Sequence, residues 1–245
     1  MDNSEIMEKV EIAGLRPDIL DGEPVAPMIQ KTIGVLIFPG FEMLDVYGPM
    51  DMWANLNLVP AKLWGGADKI ISFRIVTVAA KKGEIPAHGE MKTVADFSYD
   101  DAPQLDYLVV PGGWGVIPLV KDEPTLNWLR ARSHDAEIVM SVCNGASLLA
   151  AAGILDGHQA TTNKLLWKEA TEPWQKVKWV KKARWVDGGN IVTASGIAAG
   201  MDMTHAVIAR LYGKDIANWL ELWTEYEPYQ DSSWDPFAAM AGLLK

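Results

Sequence analysis

Cysteine is almost missing from this sequence. Cys143 is the only one among 245 residues, so no internal disulfide can form and stability must come from packing. That excludes a secreted, cystine-stapled scaffold. Long apolar runs are missing too: nothing approaches the roughly 18 uninterrupted apolar residues of a membrane span. The opening MDNSEIMEKVEIAGLRPDIL carries five acidic side chains and no apolar run of seven, so neither a secretory signal nor a membrane anchor is expected. The expectation is a cytoplasmic chain with no membrane contact. Positive charge is scarce, with 22 Lys and Arg against 32 Asp and Glu, a net charge of −10 and a pI near 4.9. Such a surface repels phosphate backbones, and the basic cluster at 176–182 is interleaved with Val and Trp, so nucleic acid is not an expected partner. The four histidines, His88, His134, His158 and His205, stand at no metal-ligand spacing, and one cysteine cannot complete a zinc set; no metal is expected. Gly112-Gly113-Trp114-Gly115 lacks the spacing of a dinucleotide fingerprint, and no phosphate-loop lysine follows it.

What is present is an alternation of buried strands and helices. Residues 1–30 are polar, with prolines at 17, 24 and 27, and predict an arm. From Thr32, TIGVLIFPG is a continuous apolar run closed by Pro-Gly, the pattern of a strand covered on both faces. Met43, Val46, Tyr47, Met50, Trp53 and Ala54 then recur at helical spacing over 42–57, with Pro49 compatible only with a first turn. Further strands are predicted at 73–80, 105–113 and 137–142, with short edge strands within 84–98 and helices at 123–133 and 144–152. VKWV and ARWVDGGNIVTAS read as two strands or a hairpin with Asp-Gly-Gly-Asn at the turn, followed by helices from about Ile197 to Tyr212 and Lys214 to Tyr226. The sum is one α/β domain over 31–226, a doubly wound, mostly parallel sheet sandwiched by helices, with a tail at 227–245.

Three features converge on the carboxyl ends of those strands. Ser141-Val142-Cys143-Asn144-Gly145 puts the cysteine between a strand and a helix with small residues two before and two after it, the pattern of a nucleophile elbow. A helix N-terminus there should lower the thiol pKa, and the amides of Asn144 and its neighbours should hold an anionic intermediate. The plain alternative is a structural buried cysteine. Gly112 and Gly113 let backbone amides approach a bound group, making a second wall of an oxyanion pocket, unless they serve a turn alone. Asp45 stands between Leu44 and Val46, where burial would raise its pKa toward the range of proton transfer; a helix cap is the other reading.

In order, TIGVLIFPGFEMLDVYGP, DYLVVPGGWGV, IVMSVCNGASLLAAAGILDGHQATT and VTASGIAAGMD resemble the DJ-1/PfpI superfamily over about 31–226, and within it the isocyanide hydratase branch. The resemblance implies a flavodoxin-like fold shared with class I glutamine amidotransferases and a homodimer. It also implies cofactor-free hydration of a small-molecule isocyanide to the N-formamide, with Cys143 as nucleophile and Asp45 as the carboxylate beside it. Gly112, Gly113, Trp114, Asn144 and Gly145 would form the pocket, Tyr47 and Trp167 its apolar wall, and Trp219, Trp223 and Trp234 an exposed contact face. Two positions depart from that branch: Asn144 stands where it has Thr, and Asn163 where it has His. The missing histidine weakens a protease or glyoxalase reading. A stress-response protein acting through oxidation of Cys143 and a glyoxalase or deglycase of 2-oxoaldehydes are the alternatives. The branch that adds an AraC-type DNA-binding domain is not expected, because the chain ends too soon and is acidic.

Overall fold

The computed structural model describes residues 29–244, so all but the last two residues of the predicted arm lie outside the described residues. Among the described residues eleven strands follow in chain order: β1 (Ile29–Leu36), β2 (Ile71–Ala79), β3 (Gly83–Pro86), β4 (Lys92–Ala95), β5 (Phe97–Ser98), β6 (Tyr107–Val110), β7 (Ile138–Ser141), β8 (Gln159–Ala160), β9 (Lys178–Trp179), β10 (Trp185–Asp187) and β11 (Ile191–Ala194). The helices are α1 (Met43–Asn55), α2 (Val116–Leu119), α3 (Glu123–Asp135), α4 (Gly145–Ala151), α5 (Trp167–Thr171), α6 (Ala199–Tyr212), α7 (Lys214–Thr224) and α8 (Phe237–Met240). Seven strands form one sheet in the order β10-β11-β7-β6-β1-β2-β5, parallel except for the β10–β11 hairpin. The expected doubly wound α/β class is what the chain adopts. One helix group is α1 with α6 and α7; the other gathers α2, α3 and α5 around α4.

The continuous apolar runs become the inner strands because parallel strands are covered on both faces. All four residues of β6, β7 and β11 are buried, as is the second half of β1. Each fully covered Ile, Leu or Val there contributes about 1.5–3 kcal/mol relative to exposure. Beneath α1 the rings of Trp53, Phe73, Tyr107, Tyr212 and Trp64 meet at centroid separations of 5.3–6.4 Å, the tilted and edge-on contacts that aromatic quadrupoles favour. Among the described residues no helix is long and apolar enough to cross a membrane.

Three expectations change. β1 begins at Ile29 rather than Thr32, its early part lying exposed at the sheet end. Pro49 sits in the second turn of α1, where it leaves the Asp45 carbonyl without its usual helical donor, and the buried face is Asp45, Val46, Gly48, Pro49, Met50, Met52 and Trp53. Tyr47 and Ala54 therefore face outward. The indole of Trp219 is fully covered and stacks on Trp223 at 5.2 Å, so it cannot form part of an exposed face.

The segment after α7 is an ordered strap. Arg184 donates to Asp202 in a buried ion pair and lies under the stacked rings of Tyr229 and Trp234, while its backbone amide donates to Ser232 O at 2.7 Å. Asp202 also accepts from Tyr226 Oη and from the Tyr229 amide, so one carboxylate ties the strap to α6.

Candidate active site

The chain winds outward from β1 to β2 and β5, then returns to lay β6 and β7 on the opposite side of β1. Loops diverge at such a reversal and leave a crevice at the strands' carboxyl ends. α1, which follows β1, brings Asp45 to that crevice; the loop after β6 brings Gly112 and Gly113; the turn after β7 brings Cys143.

Cys143 adopts φ +56°, a left-handed conformation costing a β-carbon-bearing residue about 1–3 kcal/mol, sustained only where the surroundings over-determine it. They do so here. The Val142 amide donates to Val110 O at 3.0 Å, the Gly145 amide to Val142 O at 3.0 Å, and Thr162 Oγ1 to Cys143 O at 2.9 Å. Gly145 is required for packing: a β-carbon there would lie 2.4 Å from Val110 O and 2.6 Å from Pro111 O, both backbone atoms that have no room to retreat. Gly145→Ala is accordingly expected to lower stability by about 2 kcal/mol or more and to relax the turn. Chemical denaturation checks the first outcome, and the rate of Cys143 labelling by a thiol reagent checks the second.

Asp45 is completely buried. Its Oδ2 accepts from the Gly112 amide at 2.9 Å, whereas Oδ1 has no hydrogen-bond partner among the described residues. Burial pushes the carboxyl up to about 8, the Gly112 hydrogen bond works against this, and the charge of Glu42 adds to it. Burial also pushes the Cys143 thiol up, and the negative charge of Asp45 and then of Glu42 push it further; the Asn144 amide and the Asn163 side chain, both donating to sulfur, oppose the rise. The lowered thiol pKa expected from the helix N-terminus is therefore corrected. The physical reason is that α4 has only seven residues and the sulfur is enclosed, so one aligned amide does not offset desolvation. The coupling matters more than either value. Moving the thiol proton to Asp45 leaves one negative charge in the same enclosed volume, so the burial cost largely cancels and the donors to sulfur set the balance.

The glycine amides have a different task from the one expected. Gly112 N–H is committed to Asp45, and Gly113 N–H donates to Asn144 Oδ1 at 2.8 Å while Asn144 Nδ2 returns a bond to Gly113 O at 3.1 Å. They position the carboxylate and the Asn144 side chain, so neither amide faces an oxyanion. A β-carbon on Gly112 would meet Asn144 Oδ1 at 2.3 Å and Cys143 Cβ at 2.8 Å, which explains a glycine there. Trp114 and Asn144 line a cavity of about 170 Å³ with Cys143, Gly113, Glu42, Asn163, Leu165, Leu166 and Ile197. Tyr47 and Trp167 line none of the cavity beside the thiol. Tyr47 is 42% exposed with its hydroxyl 2.6 Å from Thr93 Oγ1, and Trp167 is buried beneath the ammonium of Lys164. Helical phase put Tyr47 outward, and the T-shaped packing of Trp167 on Trp179 holds it inside.

Sequence reasoning treated Asn163 only as a missing histidine; the structure makes it a donor to the Cys143 sulfur, oriented by its own Oδ1 accepting from the Leu166 amide at 3.1 Å. Glu42 was passed over as well. A carboxylate three residues before Asp45 at the start of α1 was the available signal, since i and i+3 share a helix face.

A thiol on a strained strand-to-helix turn, electrostatically coupled to a buried carboxylate at the switch point of a doubly wound sheet, defines an α/β protein of the cysteine-elbow class. More particularly, the chain belongs to the DJ-1/PfpI family, whose model matches residues 31–210. It is 36% identical over 201 residues to isonitrile hydratase of Pseudomonas putida, covering 80% of this chain and 78% of that protein. The HTH-type transcriptional regulator GbdR of Pseudomonas aeruginosa is 24% identical over 196 residues, which span 80% of this chain and 51% of the regulator. Among solved structures, a THiJ/PfpI family protein from Pseudomonas syringae superposes with a TM-score of 0.71 at 24% identity, covering 94% of this chain and 90% of that one. Drosophila melanogaster DJ-1beta gives 0.64 at 16% identity, covering 81% and 100%. Those two likenesses are of fold.

Proposed function

We propose that the protein is a cofactor-free hydratase converting an isocyanide to its N-formamide, working on a small molecule as a homodimer. The observation that carries the reading is the coupled pair: a strained thiol on the cavity wall and, electrostatically coupled to it from behind, a fully buried carboxylate of raised pKa, with no imidazole in the cavity lining. In this mechanism the Cys143 proton passes to Asp45, and the thiolate, held by the Asn144 amide and the Asn163 side chain, adds to the terminal isocyanide carbon. That carbon gains an electron pair and takes the proton from Asp45, giving a thioimidate. The Asp45 carboxylate then removes a proton from water, whose oxygen adds to the thioimidate carbon, and passes that same proton to the nitrogen, which restores the carboxylate. Collapse expels the Cys143 thiolate, the hydroxyl proton returns through Asp45 to sulfur, and the formamide leaves. Water is the only atom source consumed. The high pKa of the thiol suits the first step, because intrinsic nucleophilicity rises with basicity.

The test is loss of the isocyanide stretching band with matched appearance of formamide across alkyl and aryl substrates. No loss, beside an active hydratase run in parallel, overturns the reading. A pH profile tests the proton inventory. Below about pH 8 the pair holds both protons, so kcat/KM is expected to climb about tenfold per pH unit up to that value and then level off. A profile flat from about pH 6 to 9 contradicts a role for Asp45 in this form. The oxidation reading draws less support, since sulfur that senses peroxide is exposed and acidic whereas Cys143 is enclosed and shifted up. For the homodimer, Trp223 is 41% exposed and available to a contact face. Sedimentation velocity reads the association state.

A further inference from the structure

Beyond the thiol cavity lies a second chamber of about 330 Å³, and the two share Trp114, Asn144 and Leu166 as common wall. Its remaining surface is mostly hydrocarbon, from Val116, Ile117 and Val120 around α2 and Trp174 beyond α5. The polar side chains inside are already engaged. Ser147 Oγ donates to Ala170 O at 3.2 Å, and Asn144 is tied twice to Gly113. An occupant therefore meets few polar groups of the wall that need partners, and the hydrophobic term decides what enters. The carboxylate of Glu169, exposed at the rim, adds negative charge in a protein already at −10. An anionic occupant is disfavoured.

We propose that this chamber is the subsite for the substituent of the electrophile, and that the protein takes substrates bearing an uncharged aryl or fused two-ring group on a short linker. Size supports the choice. A dry engineered cavity of about 150 Å³ accepts benzene, so a chamber of about 330 Å³ has room for a two-ring hydrocarbon. The cavity of about 170 Å³ holds the reacting carbon, the nitrogen and the linker, which crosses the wall between Trp114 and Leu166. This inference rests on the hydratase reading for the identity of the reacting group, but the chamber's preference for an apolar ring does not.

The experiment compares ethyl isocyanide with naphthylethyl isocyanide on the wild-type chain and on Ile117→Trp and Val120→Trp, which place an indole in the chamber. Ile117 is 60% exposed, so its replacement leaves the core undisturbed. In the wild type the naphthyl substrate is expected to show a KM about tenfold or more below that of the ethyl one, and each variant is expected to shrink that preference about tenfold. Calorimetric binding of N-naphthylethylformamide, which needs no chemistry, should weaken in parallel. Hydration of ethyl isocyanide with no preference for the naphthyl compound, or with a preference that both variants leave intact, overturns the chamber and spares the hydratase reading. Formamide binding that both variants weaken, with neither isocyanide consumed, overturns the hydratase reading and supports the chamber. Neither binding nor turnover removes both.

Discussion

Cys143→Ala is expected to lose isocyanide hydration by on the order of 10⁴-fold or more, because among the described residues no other thiol and no hydroxyl lines the cavity to start the thioimidate route. Asp45→Asn should fall by about 10²–10⁴-fold, the range of a general acid–base group. The same substitution should also make the protein more stable at neutral and alkaline pH. The sign follows from proton binding. Asp45 titrates near 3.8 when unfolded and at about 8 when folded, so between those values the folded state holds more protons and stability falls as pH rises. At pH 8 the buried charge costs on the order of 4–5 kcal/mol, of which an uncharged Asn recovers roughly half after its own amide is buried. At roughly 2–4 °C per kcal/mol for a chain of this length, Tm rises by about 5–10 °C at pH 8 and by little at pH 4. Differential scanning calorimetry at both pH values, with turnover assays alongside, reads all of this. Loss of activity without the alkaline gain in Tm would place Asp45 in the mechanism but remove the argument from buried charge. Unchanged activity in both variants would end the covalent proposal.

The second large effect lies in the strap. Asp235 Oδ2 is 3.2 Å from Lys164 Nζ, with the two side chains only 1% and 3% exposed. Nζ also donates to Thr161 Oγ1 at 2.5 Å, Thr162 O at 3.2 Å and Ala183 O at 3.0 Å. Burial lowers the Lys164 pKa and the charge of Asp235 holds it up. Asp235→Ala strands an ammonium in the interior, and breaking such a pair costs about 3–5 kcal/mol, a Tm loss of about 10 °C. Replacing both partners by apolar groups of similar volume, Lys164→Met with Asp235→Leu, is expected to recover most of that loss. If the single and double variants melt together, the pair is not held as described. Activity should follow the single variant, because Thr162 and Asn163, which hold the Cys143 carbonyl and sulfur, flank this lysine.

The strands that matter were legible because parallel strands buried on both faces must be apolar without a break: TIGVLIF, YLVV and IVMS announce themselves. The elbow was legible for a local reason, since a sharp strand-to-helix turn needs small residues at Ser141 and Gly145. Asp45 was legible as a carboxylate set in hydrocarbon, and the raised pKa read from that setting agrees with its burial in the fold. Tyr47 misled because an apolar stripe drawn at helical spacing does not say where Pro49 will turn the buried face. Trp219 misled because composition counts indoles without placing them.

Local chemistry alone, then, determined an α/β chain with one cysteine at a strand-to-helix turn and an unusual carboxylate after the first strand. What only the tertiary structure decided depends on groups far apart in the chain. Whether the glycine amides face a ligand or Asp45 and Asn144, whether the thiol is pulled down by a helix or pushed up by burial, and whether Asn163 reaches sulfur are set by packing between segments 20 to about 100 residues apart. Desolvation and hydrogen-bond partnership are properties of the assembled interior, and sequence spacing carries neither.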